Sequence, residues 1–280
     1  MDSSSSRTID FVQGLTGKVA FVTGGVGGIG QSCVRTLIAH GMTVAFSHTE
    51  GDSGEEAARS LCSESPDFLS AHVLDLRCVR SIRTCMSGVL ERWGRMDVLV
   101  NCAGVGSATV SEYATEPAEQ DSAMLAINAD GTLKACTTFL DLMDAAVTRE
   151  PLKIINISSV GGGIQTFPGF RLSDGMSKAA VAALTKQLAA ELIHSKVDVF
   201  ALCPGATDTP MFQASTLESM TAEEQVDFKA SLPRGRLITP DEIADIVAFL
   251  ASPYSAPLHG AVIDASMGLG VRPGVITERR

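Results

Sequence analysis

The residues most evidently arranged for chemistry are glycines. The run Thr23-Gly24-Gly25-Val26-Gly27-Gly28-Ile29-Gly30 follows the first β-branched segment and leads into a helix-like stretch. Glycines at such a junction allow a tight turn and let backbone N–H groups and a helix N-terminus approach a pyrophosphate without Cβ interference. A glycine motif alone is weak; its place at the first strand-to-helix junction of a repeating pattern points to a dinucleotide. In such sites an acid at the end of the second strand accepts hydrogen bonds from ribose hydroxyls and repels a 2′-phosphate. Here Ser47 is followed by His48 and Thr49. With no acid to repel a phosphate and three groups able to donate to one, NADP(H) is favoured over NAD(H). His40, His72, His194 and His259 show no ligand spacing with cysteine or carboxylate, so no metal site is expected.

The elements that must position this cradle are legible from Lys18 onward. Strands are expected at 18–23, 43–47, 69–73, 98–101, 153–158, 198–203 and 261–264. Helices are expected at 30–40, 55–64, 79–92, 121–145, 175–194 and 240–250. Short β-branched runs alternating with longer amphipathic ones give βαβ units, and continuous apolar runs suit strands covered on both faces. The expected fold is α/β, a doubly wound (Rossmann) parallel sheet of about seven strands in a single domain over residues 15–280, preceded by a polar extension at 1–14. Residues 207–236 are polar, proline-flanked and poorly patterned. They read equally as a lid over a site or as a solvated helical excursion.

At 280 residues and 45% hydrophobic, the chain can bury one large core. A net charge of −10 argues against the basic face that nucleic acid or anionic lipid requires. There is no apolar stretch of bilayer length and no secretory signal pattern, so a cytoplasmic protein acting on a small molecule is expected. The seven cysteines are scattered singly and read as reduced, mostly buried small residues; Cys102 and Cys203 fall nearest the expected cofactor.

The spacing Thr-Gly-x-x-x-Gly-x-Gly at Thr23, Gly24, Gly28, Ile29 and Gly30 resembles the signature of the classical short-chain dehydrogenases/reductases. Further stations follow in order along residues 15–268: Asp75 with Leu76, Asn101-Cys102-Ala103-Gly104, Asn128, Asn156-Ile157-Ser158-Ser159 and Pro204-Gly205-Ala206-Thr207-Asp208-Thr209. The resemblance implies adenine recognition by Asp75 and Leu76. It implies cofactor contacts from Asn101, Ala103 and Gly104, and a nicotinamide carboxamide held by Pro204, Gly205, Thr207 and Thr209. It also assigns Ser159 as the catalytic serine, Lys178 as the lysine that binds the nicotinamide ribose, and Asn128 as the residue ordering water toward it. The arginine that many NADP-dependent relatives carry in the glycine loop is replaced by Gly27. A homodimer or homotetramer through the helices containing Asn128 and Lys178 is likewise implied.

Four residues before Lys178, where the family places its proton-donating tyrosine, this chain has Asp174; its only tyrosines are Tyr113 and Tyr254. A carboxyl of reference pKa about 3.9 is ordinarily ionised near neutrality, so it takes a proton or balances a positive charge rather than donating one. Burial would raise that pKa and Lys178 would lower it. Three readings follow. One is a reductase of an acceptor needing no protonated oxygen, for example an iminium, with Asp174 paired to the cation. Another is a non-redox cyclase, isomerase or dehydratase with Asp174 as base, and the third is an inactive nucleotide-binding homologue. Asp174 also fits an acid at a helix start, capped by Ser173. Tyr113 reads as an exposed loop residue, whereas Phe167, Phe170, Met211 and Phe212 suit an apolar substrate or simple core packing.

Overall fold

The computed structural model describes residues 14–146 and 150–271. The expected polar extension lies outside the described residues up to residue 13, as does the chain after 271. Seven strands, β1 (Val19–Thr23), β2 (Thr43–His48), β3 (Leu69–Val73), β4 (Val98–Asn101), β5 (Leu152–Ile157), β6 (Val197–Pro204) and β7 (Val262–Ala265), form one sheet. Its order is β3-β2-β1-β4-β5-β6-β7 and every neighbouring pair is parallel. The chain therefore winds outward in both directions from β1 and β4, whose C-terminal ends splay apart at a switch point.

Both faces of the sheet are apolar because alternate residues of each strand point to opposite sides. On one face Ala20, Val22, Val44 and Phe46 meet α1 (Gly28–Ala39), α2 (Asp52–Glu64) and, farther on, α10 (Pro240–Ala251). On the other, Val19, Phe21, Leu99 and Ile154 meet α3 (Val79–Trp93), Phe139 of α5 (Gly131–Ala146) and Ala189 of α7 (Leu172–Glu191).

The single helix expected at 121–145 is divided. The short α4 (Pro117–Leu125) passes into a π turn at Ala126–Asp130 before α5 begins. The turn buries Asn128, whose side chain bonds Val105 and Ser177 instead of solvent. Residues 160–163 form an irregular turn, α6 (Val160–Gly163). The segment 207–236 is largely helical, with α8 (Pro210–Phe212), a π turn at Gln213–Leu217 and α9 (Ala222–Ser231). α9 has a Thr221/Glu224 capping box but no buried residue, which is why no apolar stripe announced it.

At the opposite end of the strands, the buried Lys153 ammonium donates to Asp198 Oδ2 at 2.6 Å and to Ser255 Oγ at 3.2 Å, joining β5, β6 and the turn after α10. Removing one partner of a buried pair strands the other charge. Lys153→Met is expected to cost about 2–3 kcal/mol in urea unfolding, reduced from the fully buried case because Asp198 keeps some solvent. Nucleotide affinity of the folded protein should be unchanged, since the cluster lies away from the switch point.

Candidate active site

A cavity of ≈ 2350 Å³ opens at the switch point. Its floor is built by the contact of two turns. Gly24, at φ +68°, comes so close to the turn after β4 that a Cβ there would lie 2.7 Å from Ala103 Cα. Thr23 Oγ1 accepts from the backbone N–H groups of Cys102 and Ala103, both at 3.1 Å, while Gly24 N donates to Ser47 Oγ at 3.0 Å. α1 then starts at Gly28 with no side-chain cap and no acid in its first turn. Gly28, Ile29 and Gly30 line the cavity there, and the uncapped N–H groups of the first turn form a cradle suited to a pyrophosphate.

At the end of the cavity beside β2, His48 and Thr49 line the wall, with His48 Nδ1 2.9 Å from Thr49 O. Asp75 and Leu76 line it as well. Arg77 donates from Nε and Nη2 to the two oxygens of Asp75 at 2.9 and 3.0 Å, holding that carboxyl below its usual range. The guanidinium lies 5.3 Å from the ring centre of Tyr113, so the residue expected as an exposed loop tyrosine is half-buried and part of the wall. Sequence reading missed Arg77 and Glu50 in this wall because neither belongs to a motif.

At the other end, Ser159, Asp174 and Lys178 all line the same cavity. Ser159 Oγ accepts from Gly161 N at 3.1 Å, leaving its hydroxyl hydrogen free to donate. Lys178 Nζ reaches Ile157 O at 3.4 Å. Asp174 sits in the first turn of α7, half-buried, and its carboxylate has no hydrogen-bond donor among the described residues. Burial pushes its pKa above 3.8, opposed by the charges of Lys178 and Arg171. Ser173 does not cap the helix: its hydroxyl donates to Asp121 Oδ1 at 2.6 Å, beside the Arg171 Nε bond to the same oxygen at 2.6 Å.

Three expected site residues stand behind the wall rather than in it. Thr23 is the clamp just described. Asn128 accepts from Val105 N at 2.8 Å, and donates to Val105 O at 3.0 Å and to Ser177 Oγ at 3.2 Å. Ser177 Oγ in turn donates to the Asp174 carbonyl at 2.8 Å, so Asn128 steadies the turn that presents Asp174. Asn101 is buried and donates to Asn156 Oδ1 at 2.9 Å, tying β4 to β5; Asn156 then donates to Thr185 of α7 at 2.9 Å.

The far wall descends from β6. Pro204, Gly205, Thr207 and Thr209 line the cavity, and Thr209 approaches Gly28 so closely that a Cβ there would meet its methyl at 2.7 Å. Ala103 and Gly104 face them across the cleft. Beyond lie Phe167, Phe170, Met211 and Phe212, and the Phe212 ring pairs with Phe228 at 6.1 Å. Cys102 lines the cavity, but burial pushes its thiol up to about 12, so it is no nucleophile near neutrality; the Cys203 thiol is also raised.

A glycine cradle at the switch point of a doubly wound sheet, beside an apolar chamber holding a serine, a lysine and a carboxylate, has the form of a nicotinamide dinucleotide oxidoreductase. Residues 23–270 match the family model described as enoyl-(acyl carrier protein) reductase. The oxidoreductase UcpA of Escherichia coli is 32% identical over 91% of this chain and 96% of its own. Among solved structures, an actinorhodin polyketide ketoreductase variant with NADPH is 31% identical, covering 91% of this chain and 97% of that one, at a TM-score of 0.78. A 3-ketoacyl-(acyl-carrier-protein) reductase from Brucella melitensis complexed with NADH is 27% identical, covering 91% and 99%, also at 0.78. The chain belongs to the short-chain dehydrogenase/reductase family of oxidoreductases.

Thr23→Val keeps the shape of the clamp residue but leaves two backbone N–H groups without an acceptor. It is expected to cost about 1–3 kcal/mol of stability and to weaken dinucleotide binding. Chemical unfolding and nucleotide fluorescence titration check the two effects separately.

Proposed function

We propose that this chain is an NADP(H)-dependent reductase of a small, largely apolar organic substrate whose reacting centre is cationic, for example an iminium. The observation that carries the proposal is the Asp174 carboxylate: it lines the chamber four residues before Lys178 and is bonded to no donor among the described residues. Bound there, the nicotinamide would supply a hydride. An iminium carbon that accepts a hydride returns its π electrons to nitrogen and becomes an amine without needing a proton, so the missing phenol is not a deficit for such a substrate. Asp174 balances the positive charge, Ser159 is placed to donate to the nitrogen lone pair that hydride transfer creates, and Lys178 binds the nicotinamide ribose. Gly24, Gly28, Ile29 and Gly30 hold the pyrophosphate, and Pro204, Gly205, Thr207 and Thr209 flank the carboxamide.

The NADP preference is supported by the end of β2, where Ser47-His48-Thr49 offers no carboxylate to repel a 2′-phosphate. Glu50, next along the wall, is the countervailing charge. NADPH is expected to bind at least several-fold more tightly than NADH in fluorescence titrations. Binding of neither nucleotide would overturn the reductase assignment, whereas turnover unaffected by omitting nucleotide would favour the non-redox enzyme.

Asp174→Asn is expected to leave NADPH affinity within about twofold and to lower turnover of a cationic substrate by a hundredfold or more, since a desolvated charge pair is worth about 3 kcal/mol. Burial raises the pKa of Asp174 in the free protein above 3.8, so kcat/KM for a substrate that needs the carboxylate ionised should rise with pH through an apparent pKa above that value. That acid limb should vanish in Asp174→Asn, while Asp174→Tyr should shift preference toward neutral carbonyl compounds. Outside the site, Leu172 and Met176 stand 83% and 59% exposed on one side of α7, with Leu133 exposed on α5. These support a homo-oligomer through α5 and α7, and Leu172→Glu with Met176→Glu should give a monomer by light scattering.

A further inference from the structure

Three arginines line the cavity, and two are neutralised locally: Arg77 by Asp75, and Arg171 by Asp121. The third is Arg234, whose guanidinium has no hydrogen bond or ion pair with any described residue. Its neighbour Arg236 is instead clamped by Glu242 at 2.7 and 2.8 Å.

The backbone beneath Arg234 is equally unusual. Gly235 N donates to Leu232 O at 2.9 Å, closing a four-residue turn with Pro233 and Arg234 at its centre. Arg234 has φ 63° and ψ 6°, the conformation that the third residue of a type II turn requires and that ordinarily selects glycine. Among the described residues only Arg234 and Met267 combine a side chain with positive φ, and both line this cavity. Left-handed non-glycine residues concentrate where a ligand is clamped. Here the strain places a cation that has no ion-pair partner among the described residues on the wall that also carries Phe212, Phe228 and Leu232.

We infer that Arg234 is an anion-binding subsite of the substrate chamber, and that the ligand is an apolar or aromatic body that carries, apart from its cationic reacting centre, an acidic group: a carboxylate, sulfonate or phosphate. The inference rests on this cavity being the substrate chamber. It adds a second recognition point on the wall carrying Phe212 and Phe228, in which the guanidinium donates to the acidic group while the phenylalanines cover the body.

The test uses two dyes sharing one aromatic body, 8-anilinonaphthalene-1-sulfonate and the uncharged N-phenyl-1-naphthylamine, titrated by fluorescence into the full chain with NADPH present. Arg234→Gly removes the cation and suits the backbone, so its thermal midpoint should stay equal or rise. It should weaken the sulfonate dye about tenfold while leaving the neutral dye unchanged. Arg234→Lys should keep most of the affinity for the sulfonate. Raising salt from roughly 0.05 to 0.5 M should erode sulfonate binding in the parent protein more than in Arg234→Gly. The inference is overturned if Arg234→Gly shifts both dyes in parallel or neither. NADPH affinity, read in the same samples from nicotinamide fluorescence, reports separately on the reductase assignment: its loss in the parent protein would count against that assignment, and an unchanged dye ratio against Arg234.

Discussion

Everything the site does depends on two turns held in contact. The C-terminal ends of β1 and β4 diverge because the chain winds away from them in opposite directions. At that divergence Gly24 lies against Ala103 with no room for a Cβ, and Thr23 Oγ1 accepts two N–H groups from the turn after β4. The contact keeps the cleft open on one side while leaving the first-turn N–H groups of α1 uncapped beside it. A larger residue at 24 would force the turns apart, and an apolar one at 23 would leave two N–H groups without an acceptor and loosen the floor that cradle and chamber share.

From that floor, buried amides carry position outward to the chemistry. Asn101 and Asn156 bind β4 to β5 and, through Thr185, to α7. Asn128 fixes the backbone of Val105 and, through Ser177, the carbonyl of Asp174. None of these side chains lines the cavity, yet together they decide where Ser159, Asp174 and Lys178 stand. Such residues are positioning groups, and the π turn that buries Asn128 is the local irregularity that lets a helical residue serve in this way.

The seven strands and their alternation with helices were legible because a parallel sheet buried on both faces writes itself as continuous apolar runs. The cradle was legible because glycine spacing at a strand-to-helix junction has few other uses. Three kinds of feature were not. The π turn at 126–130 differs from an α-helix only by one added residue, which leaves the composition unmarked. α9 rests on a capping box over an exposed face, without the apolar stripe that periodicity detects. Tyr113, Arg77 and Arg234 reach the cavity from loops, where neighbours distant in sequence set direction. Asp174 illustrates the boundary: its place relative to Lys178 was readable, but the raised pKa and the absence of a donor among the described residues depend on burial that no local sequence encodes.

In the proposed reaction the Asp174 carboxylate balances a cation while hydride is delivered. Single-turnover oxidation of NADPH, followed at 340 nm by stopped flow, tests this directly with a cyclic iminium and the ketone of the same ring. The iminium is expected to be reduced much faster than the ketone, and Asp174→Asn to remove the difference. Equal rates for the two substrates, or an iminium rate unchanged in Asp174→Asn, would contradict the proposed reaction.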